Sequence, residues 1–210
     1  MTSALIIDDH PIVLQGCRRV LLDAGVATVM EARDVASGYR LYRRRRPDIA
    51  IVDLSLQGKG LAGLSLIQRI KAHDPRARIL IFSMHSDPII VSRALKAGAN
   101  GYLLKDTSPH ELVDAFETVR RGEHYLSGDL ALKVALIGAG AHRDPLADLT
   151  PRELQMLGLL AEGNPYSRIA ETLGVSYKTV VNTCSQLKAK LNARNLPDLI
   201  RIAVQLGSVA

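Results

Sequence analysis

Between Leu5 and Arg121, short apolar runs alternate with segments whose apolar residues recur at helical spacing. Five strand–helix pairs can be counted in this way. Two parallel strands need a crossover that is usually a helix, so repeated pairs of this kind predict a parallel sheet with helices packed against it. We therefore predict a doubly wound α/β fold with a five-stranded parallel sheet for this part of the chain.

Acidic side chains stand where two of the predicted strands end. Asp8 and Asp9 follow the apolar residues 5–7, and Asp53 follows residues 49–52. The carboxyl ends of parallel strands line up along one edge of a sheet, where ligands bind, so we expect the three acids to share one pocket. Taken singly, Asp8 or Asp9 has a simpler explanation, because aspartate often caps a helix.

We expect a cation in the predicted pocket, because carboxylates held close together repel one another unless a cation or a proton neutralises their charge. Mg²⁺ prefers carboxylate, carbonyl and water oxygens, and in proteins it often sits between carboxylates and a phosphate. Two further apolar runs end in Ser83 and Lys105. An ammonium group at this edge could hold a phosphoryl oxygen. A solvent-exposed lysine and a turn serine are the simpler alternatives.

Only helical periodicity is found from Asp148 onward. Residues 150–153 (Thr-Pro-Arg-Glu) predict a helix start with a capping box, and Gly174 suits the tight corner of a helix-turn-helix. We therefore predict a small four-helix domain over residues 148–210. Residues 1–124 form the first domain in this division. Residues 125–147 form the connection, with a short helix at 130–137 and a linker composition at 138–145.

The helix that follows Gly174 is the one expected in the major groove of DNA. Its predicted buried stripe consists of Val180, Cys184, Leu187 and Leu191. The other face presents Lys178, Asn182, Ser185 and Ala189, flanked by Val181, Gln186 and Lys188. Asparagine and glutamine can read base edges, while lysine, serine and threonine can hold phosphates. An ordinary solvated helix face is the alternative.

These motifs resemble a known family over nearly the whole chain. Residues 3 to about 123 look like the receiver domain of a bacterial two-component response regulator, a flavodoxin-like fold, and the rest resembles the helix-turn-helix of the NarL/FixJ (LuxR-type) class. The resemblance to the second part is carried by residues 150–153, 174–176 and 178–180. It implies DNA contacts by Lys178, Thr179, Val181, Asn182, Ser185 and Lys188.

The resemblance also implies roles for the strand-end residues. Asp53 would be the nucleophile that takes a phosphoryl group from a sensor histidine kinase. Mg²⁺ would be bound by Asp8, Asp9, Asp53 and the backbone carbonyl of Ser55. Ser83 and Lys105 would hold the phosphoryl group, and Tyr102 would act as a switch. From the residues alone, an aromatic side chain on a strand is usually only packing.

Two departures from the family bear on these expectations. Val181 and Thr183 stand where members commonly have lysine and often histidine, so one phosphate contact is missing and DNA affinity would fall unless other lysines compensate. In the first domain, residues 57–63 are longer than usual, and Gln57 stands where proline is customary.

Composition limits the remaining choices. The net charge of +6 is compatible with nucleic acid, but both domains share it, and residues 43–46 (four arginines) near the end of a predicted helix suit a solvated face. Cys17 and Cys184 lack the spacing of a zinc or redox site, and His10 and His85 are treated as neighbours of the pocket. Without a long apolar run or a signal segment, the cytoplasm is the expected location.

The sequence thus predicts a phosphorylation-controlled transcription regulator that is not an enzyme and has no membrane partner. Phosphorylation is expected to change dimerisation, and a homodimer would read two DNA half-sites about one helical turn apart. One alternative is a receiver-type interaction module that works without phosphorylation but still binds DNA. Another is a phosphatase with an aspartate nucleophile, although the expected pair of aspartates two positions apart is missing.

Overall fold

The computed structural model describes residues 2–57, 61–138 and 149–207. Strands and helices alternate through the first part of the chain, as β1 (Ser3–Ile7), α1 (Pro11–Asp23), β2 (Thr28–Ala32), α2 (Val35–Arg45), β3 (Ile49–Val52), α3 (Ala62–His73), β4 (Ile79–Ser83), α4 (Pro88–Lys96), β5 (Gly101–Leu104), α5 (Pro109–Arg120) and β6 (Tyr125–Leu126). This alternation is the βα pattern that the apolar runs predict.

The strands form one sheet in the order β2-β1-β3-β4-β5-β6, and every neighbouring pair is parallel. The doubly wound fold class is therefore confirmed. The sheet has a sixth strand beyond the five predicted, since Tyr125 and Leu126 pair with Gly101 and Tyr102. Two residues are too few to show a periodic pattern, so β6 could not be recognised from its sequence.

Successive residues of the central strands belong to the two opposite faces of the sheet. Leu5 and Ile7 pack into the cluster that includes residues of α2, α3 and α4, whereas Ile6 packs with residues of α1 and α5, such as Leu14 and Phe116. Side chains alternate between faces along a strand, and both faces are covered here. Burial on both sides explains why the strands read as continuous apolar runs.

Helices alone make up the rest of the described chain, as α6 (Gly128–Gly138), α7 (Pro151–Ala161), α8 (Tyr166–Leu173), α9 (Tyr177–Lys190) and α10 (Leu196–Gly207). The short helix expected at 130–137 corresponds to α6, which packs against α4. Nearly all of the predicted linker at 138–145 lies outside the described residues. Within the described ranges, no helix has the length and apolar character needed to cross a membrane.

The predicted helix starts differ in detail. At Thr150 the capping box is complete, because the threonine side chain accepts from the Glu153 N–H and the Glu153 carboxylate accepts from the Thr150 N–H. At Ser108 the side chain accepts from the Glu111 N–H, while the carboxylate of Glu111 accepts from the hydroxyl of Thr107 instead. Both arrangements satisfy N–H groups that a helix start leaves unpaired.

Helix α7 lies against helices of the first part of the chain. The side-chain amide of Gln155 donates to the hydroxyl of Ser65 on α3 at 3.4 Å, and the guanidinium of Arg93 on α4 donates to the carbonyl of Leu149 at 3.1 Å. Apolar residues of α3, α4 and α7 belong to one continuous cluster. The two parts are therefore in contact through α3, α4 and the start of α7.

Candidate functional site

The strand-end acids form one cluster at the carboxyl edge of the sheet. Asp8, Asp9, His10 and Asp53 each offer a ligand atom, and these atoms all lie within 4.8 Å of one another. Asp8 is only 2% exposed and Asp53 3%, so two of the carboxylates are nearly removed from water. Buried like charges are unfavourable unless a cation is present.

Lys105 supplies one such cation. Its Nζ atom lies 2.7 Å from Oδ2 of Asp8 and 3.0 Å from Oδ2 of Asp53, and its side chain is 8% exposed. Burial raises the pKa of Asp53 above its ordinary value, although the charge of Lys105 opposes the shift and that of Asp8 adds to it. Burial alone would lower the pKa of Lys105, but the two aspartates hold it above its ordinary value.

The remaining acid, Asp9, has an oxygen that suits a metal ion. Its Oδ2 atom accepts from the Gln57 N–H at 2.9 Å, whereas its buried Oδ1 atom has no hydrogen-bond partner among the described residues. A ring nitrogen of His10 lies 3.2 Å from Oδ1 without hydrogen-bond geometry. Three carboxylates, one with an oxygen that accepts no hydrogen bond from the described residues, match the hard oxygen ligands that Mg²⁺ prefers. The residues present therefore fit this ion.

Neither Asp8 nor Asp9 is the N-cap of α1. His10 takes that place without a side-chain capping bond, and Asp8 instead accepts from the backbone N–H of His10 at 2.9 Å. The helix-capping explanation for these acids is therefore wrong in its simple form. His10, treated from the sequence as a neighbour, contacts Asp8 directly through its ring at 3.1 Å.

Gly63 allows α3 to approach the end of β3. A Cβ atom at this position would lie 2.3 Å from the carbonyl oxygen of Asp53 and 2.7 Å from the Cα atom of Leu54. The N–H of Gly63 also donates to the carbonyl of Leu54 at 2.9 Å. Because any side chain would clash with backbone rather than with a flexible group, glycine is required beside Asp53.

The loop after β3 departs from the family pattern at Gln57. Its φ of 57° is in the left-handed region, and its N–H is the donor to Asp9. Proline has φ fixed near about −65° and has no N–H, so a proline could not adopt this arrangement. The left-handed backbone and the hydrogen bond to Asp9 therefore explain why glutamine rather than the customary proline stands at position 57. Residues 58–60 lie outside the described residues.

A second group of contacts joins β4 and β5 to the pocket. Ser83 ends β4, is fully buried and pairs in register with Leu104, the residue before Lys105. Tyr102 is also buried, and its hydroxyl donates to the carbonyl of His85 at 2.7 Å. The N–H of His85 lies 3.4 Å from Oγ of Ser83. The loop after β4 is thus held by groups on both strands.

His85 also links this loop to the loop after β3. Its Nε2 atom lies 2.7 Å from Oγ of Ser55, and burial lowers the pKa of the imidazole, with Asp53 and Asp87 opposing the shift. This contact is not predicted from the sequence. His85 stands two residues after Ser83 as Ser55 stands two residues after Asp53, but this spacing does not by itself predict a contact between the two loops.

The predicted recognition helix corresponds to α9, with Ser176 as its N-cap and Gly174 in the left-handed conformation before it. Val180, Cys184 and Leu187 are buried as predicted. The exposed residues of this helix include Lys178, Thr179, Val181, Asn182, Ser185, Gln186 and Ala189, while Thr183 and Lys188 are partly exposed. The polar face is therefore open to solvent in the described structure.

Comparison with protein families matches residues 4–117 to the response regulator receiver domain and residues 147–203 to the bacterial regulatory proteins of the luxR family. The methanol utilization control regulatory protein MoxX of Paracoccus denitrificans is 41% identical over 196 residues, which are 93% of this chain and 88% of MoxX. The chain is a two-component response regulator of the NarL/FixJ type.

Solved structures of similar response regulators agree with this assignment. The RcsB response regulator of Salmonella typhimurium has 29% identity and a TM-score of 0.75, with 98% of each chain covered. RcsB from Salmonella enterica serovar Typhimurium bound to promoter rprA in the presence of phosphomimetic BeF3- has 29% identity and a TM-score of 0.70, with 97% of this chain and 98% of that chain covered. In this family, the LuxR-type domain is the DNA-binding domain.

Two other sequence features have simple positions in this response regulator. The arginines of residues 43–46 are exposed at the end of α2, and the guanidinium of Arg43 lies 5.9 Å from the ring centre of Tyr39. Cys17 and Cys184 are both buried in apolar clusters. The solvated face expected for residues 43–46 and the buried position expected for Cys184 therefore fit the structure, and Cys17 is buried as well.

Proposed function

We propose that this response regulator is switched by phosphorylation of Asp53 and that its C-terminal helices bind operator DNA. The observation that carries the first half is the position of Asp53, a buried carboxylate that shares the ammonium group of Lys105 with Asp8. The receiver is assigned to residues 1–124 and the DNA-binding domain to residues 148–210. Residues 125–147 connect them.

The phosphoryl donor is a phosphohistidine of a sensor kinase. An oxygen of the Asp53 carboxylate attacks phosphorus in line and an O–P bond forms. The P–N bond to the donor imidazole breaks, and the imidazole keeps the electron pair and takes up a proton. Lys105 neutralises charge on the transferred oxygens. Ile12, 84% exposed on α1, and Met84, 58% exposed after β4, offer apolar contacts for the kinase.

Mg²⁺ would be held by the carboxylates of Asp8, Asp9 and Asp53 and by the backbone carbonyl of Ser55. When bound, it supplies charge neutralisation on the phosphoryl oxygens that the protein cations alone do not. The Oδ1 atom of Asp9, which accepts no hydrogen bond from the described residues, supports this assignment.

Phosphorylation is read by Ser83, Lys105 and Tyr102. The hydroxyl of Ser83 and the ammonium of Lys105 bind the new dianion, which pulls the loop after β4 toward Asp53. Tyr102 follows this movement because its hydroxyl is bonded to His85 in that loop. Tyr102 is buried, and this hydrogen bond keeps its hydroxyl attached to the loop as the loop moves. Phosphate thus biases a two-state surface around α4 and α5.

The output is DNA binding by α9 in a homodimer that spans two half-sites. Lys178, Thr179 and Lys188 are assigned to phosphates, and Val181, Asn182 and Ser185 to base edges. RcsB, a similar protein over the whole chain, has been solved with promoter DNA, which supports this output.

The deciding experiment is phosphoryl uptake from acetyl phosphate with Mg²⁺, followed by intact mass. The wild type and the control Asp23→Asn, whose carboxylate is 73% exposed, are expected to gain one phosphoryl group. Asp53→Asn should gain none. Equal labelling of Asp53→Asn would place the nucleophile elsewhere. No labelling of the wild type would leave the alternative, a phosphorylation-independent receiver-type module that binds DNA.

A further inference from the structure

Two large hydrophobic side chains are exposed on the recognition helix. Tyr177 is 58% exposed and Val181 38% exposed, and both belong to α9. Residues four positions apart lie on the same face of a helix. They therefore form a small apolar patch, which we call the Tyr177–Val181 patch, on the face that the proposed function turns toward DNA.

Tyr177 is supported from behind by the preceding helix. Its ring centre lies 6.0 Å from that of Tyr166 on α8, with the two planes tilted by 58°. Burial raises the pKa of Tyr166 well above its ordinary value, with a contact to Cys184 adding to the shift, so this ring stays neutral. Cys184 belongs to the buried stripe of α9. The patch is thus anchored to the core.

The surroundings of the patch indicate a nucleic acid partner. Lys178 and Asn182 each follow a member of the patch directly in sequence, and Lys188 lies further along the helix. The hydroxyl of Ser185 donates to the carbonyl of Val181 at 3.1 Å, so its hydrogen is already used within the helix. The Tyr177–Val181 patch therefore lies among cationic and amide side chains. This combination complements a partner surface that is mostly polar and anionic but carries an isolated apolar group.

The major groove of DNA has one such group, the C5-methyl of thymine, which side chains recognise by apolar contact. We propose that Val181, backed by Tyr177, reads a thymine C5-methyl group, so that this regulator requires a T·A pair at that position of each half-site. The proposal rests on the proposed DNA-binding function and specifies what α9 recognises.

The test begins with operator DNA selected from a random duplex pool by the full-length protein, with acetyl phosphate and Mg²⁺. Each thymine of the selected site is then replaced singly by deoxyuridine, which pairs identically but lacks the methyl group. The wild type should lose about fourfold in affinity at one thymine per half-site, as expected for one buried methyl-sized group.

Val181→Ala should bind the thymine operator about as weakly as the wild type binds the deoxyuridine operator, and it should not distinguish the two. Val181→Ile, which keeps an apolar contact, should retain the difference. Lys178→Ala is the matched control, because loss of a phosphate contact should weaken binding to both DNAs by the same factor. Since Val181 is exposed, unchanged thermal unfolding of each variant is expected.

The experiment distinguishes failure of the proposed DNA-binding function from failure of the thymine proposal. If the selection enriches no DNA, the proposed function itself is wrong and the thymine proposal falls with it. If DNA is enriched but no deoxyuridine replacement weakens wild-type binding, the methyl-reading role is wrong while DNA binding stands. The same conclusion follows if Val181→Ala still distinguishes thymine from deoxyuridine.

Discussion

The hydroxyl of Tyr102 donates a 2.7 Å hydrogen bond to the backbone carbonyl of His85, which ties the middle of β5 to the loop after β4. His85 in turn contacts Ser55 through its ring. One buried tyrosine is therefore connected, through a single residue, to the loop after β4 and to the loop that follows Asp53.

Tyr102→Phe should uncouple phosphorylation from DNA binding. The ring remains in the core, but the carbonyl of His85 loses its donor, with an expected stability loss of about 1 kcal/mol. Phosphoryl uptake at Asp53 should persist, while the gain in DNA affinity on phosphorylation shrinks. DNA affinity with and without acetyl phosphate measures this gain, and Tyr39→Phe, at a partly buried tyrosine on α2, is the control. An undiminished gain would show that the hydroxyl has no switch role.

Lys105→Met should destabilise the protein in metal-free buffer by about 3 kcal/mol, because two buried carboxylates lose their cation. Adding Asp53→Asn in the same chain should recover part of the loss, since one of the two charges is then gone. Urea unfolding of the two single variants and the double variant gives the coupling energy. Additive losses would mean that Lys105 and Asp53 are energetically independent.

Gly63→Ala should lower both stability and phosphoryl uptake. The new Cβ atom would meet the backbone of Asp53 and Leu54, which must shift, and overpacking of this kind costs about 1–3 kcal/mol. Gly16→Ala is the matched control, because a Cβ atom within α1 would have no neighbour within 4 Å and alanine favours a helix. Thermal unfolding should move in opposite directions for the two variants. Wild-type uptake by Gly63→Ala would remove the proposed link to Asp53.

Glu153 should make the stability of the C-terminal helices depend on pH in the acidic range. Burial opposes ionisation, but hydrogen bonds from Thr150 and Lys190 hold the pKa of Glu153 below its ordinary value of 4.5. A lowered folded-state pKa contributes stability that is complete above the ordinary value and is lost as the pH falls through the lowered one. Glu153→Gln lacks this contribution.

The difference in unfolding temperature between wild type and Glu153→Gln should therefore be constant near neutral pH and shrink below about pH 4.5. Asp129→Asn, an exposed acid at the start of α6, serves as the control for general acid effects. A difference that does not change with pH would assign the stabilisation to packing of the side chain rather than to its charge.

The clustering of the strand-end acids could be predicted from the sequence because a parallel sheet places residues such as Asp8 and Asp53 along one edge, independently of the loop conformations. Contacts within loops could not be predicted. The Ser55–His85 contact and the left-handed backbone at Gln57 depend on local loop conformation, which periodicity does not encode. The buried stripe of α9 was predictable because burial follows the helical period.

Helix α4 extends from the loop after β4 to the contact with Leu149, which precedes the C-terminal helices. It begins after its cap Asp87, two residues beyond His85, and Arg93 on the same helix donates to Leu149. The separation of Asp87 and Arg93 along the helix axis is about 9 Å. Any displacement of α4 must therefore either move Leu149 as well or lengthen the Arg93 hydrogen bond. A local shift of the loop after β4 is then either passed on to the neighbouring domain or weakens the contact of that domain with α4.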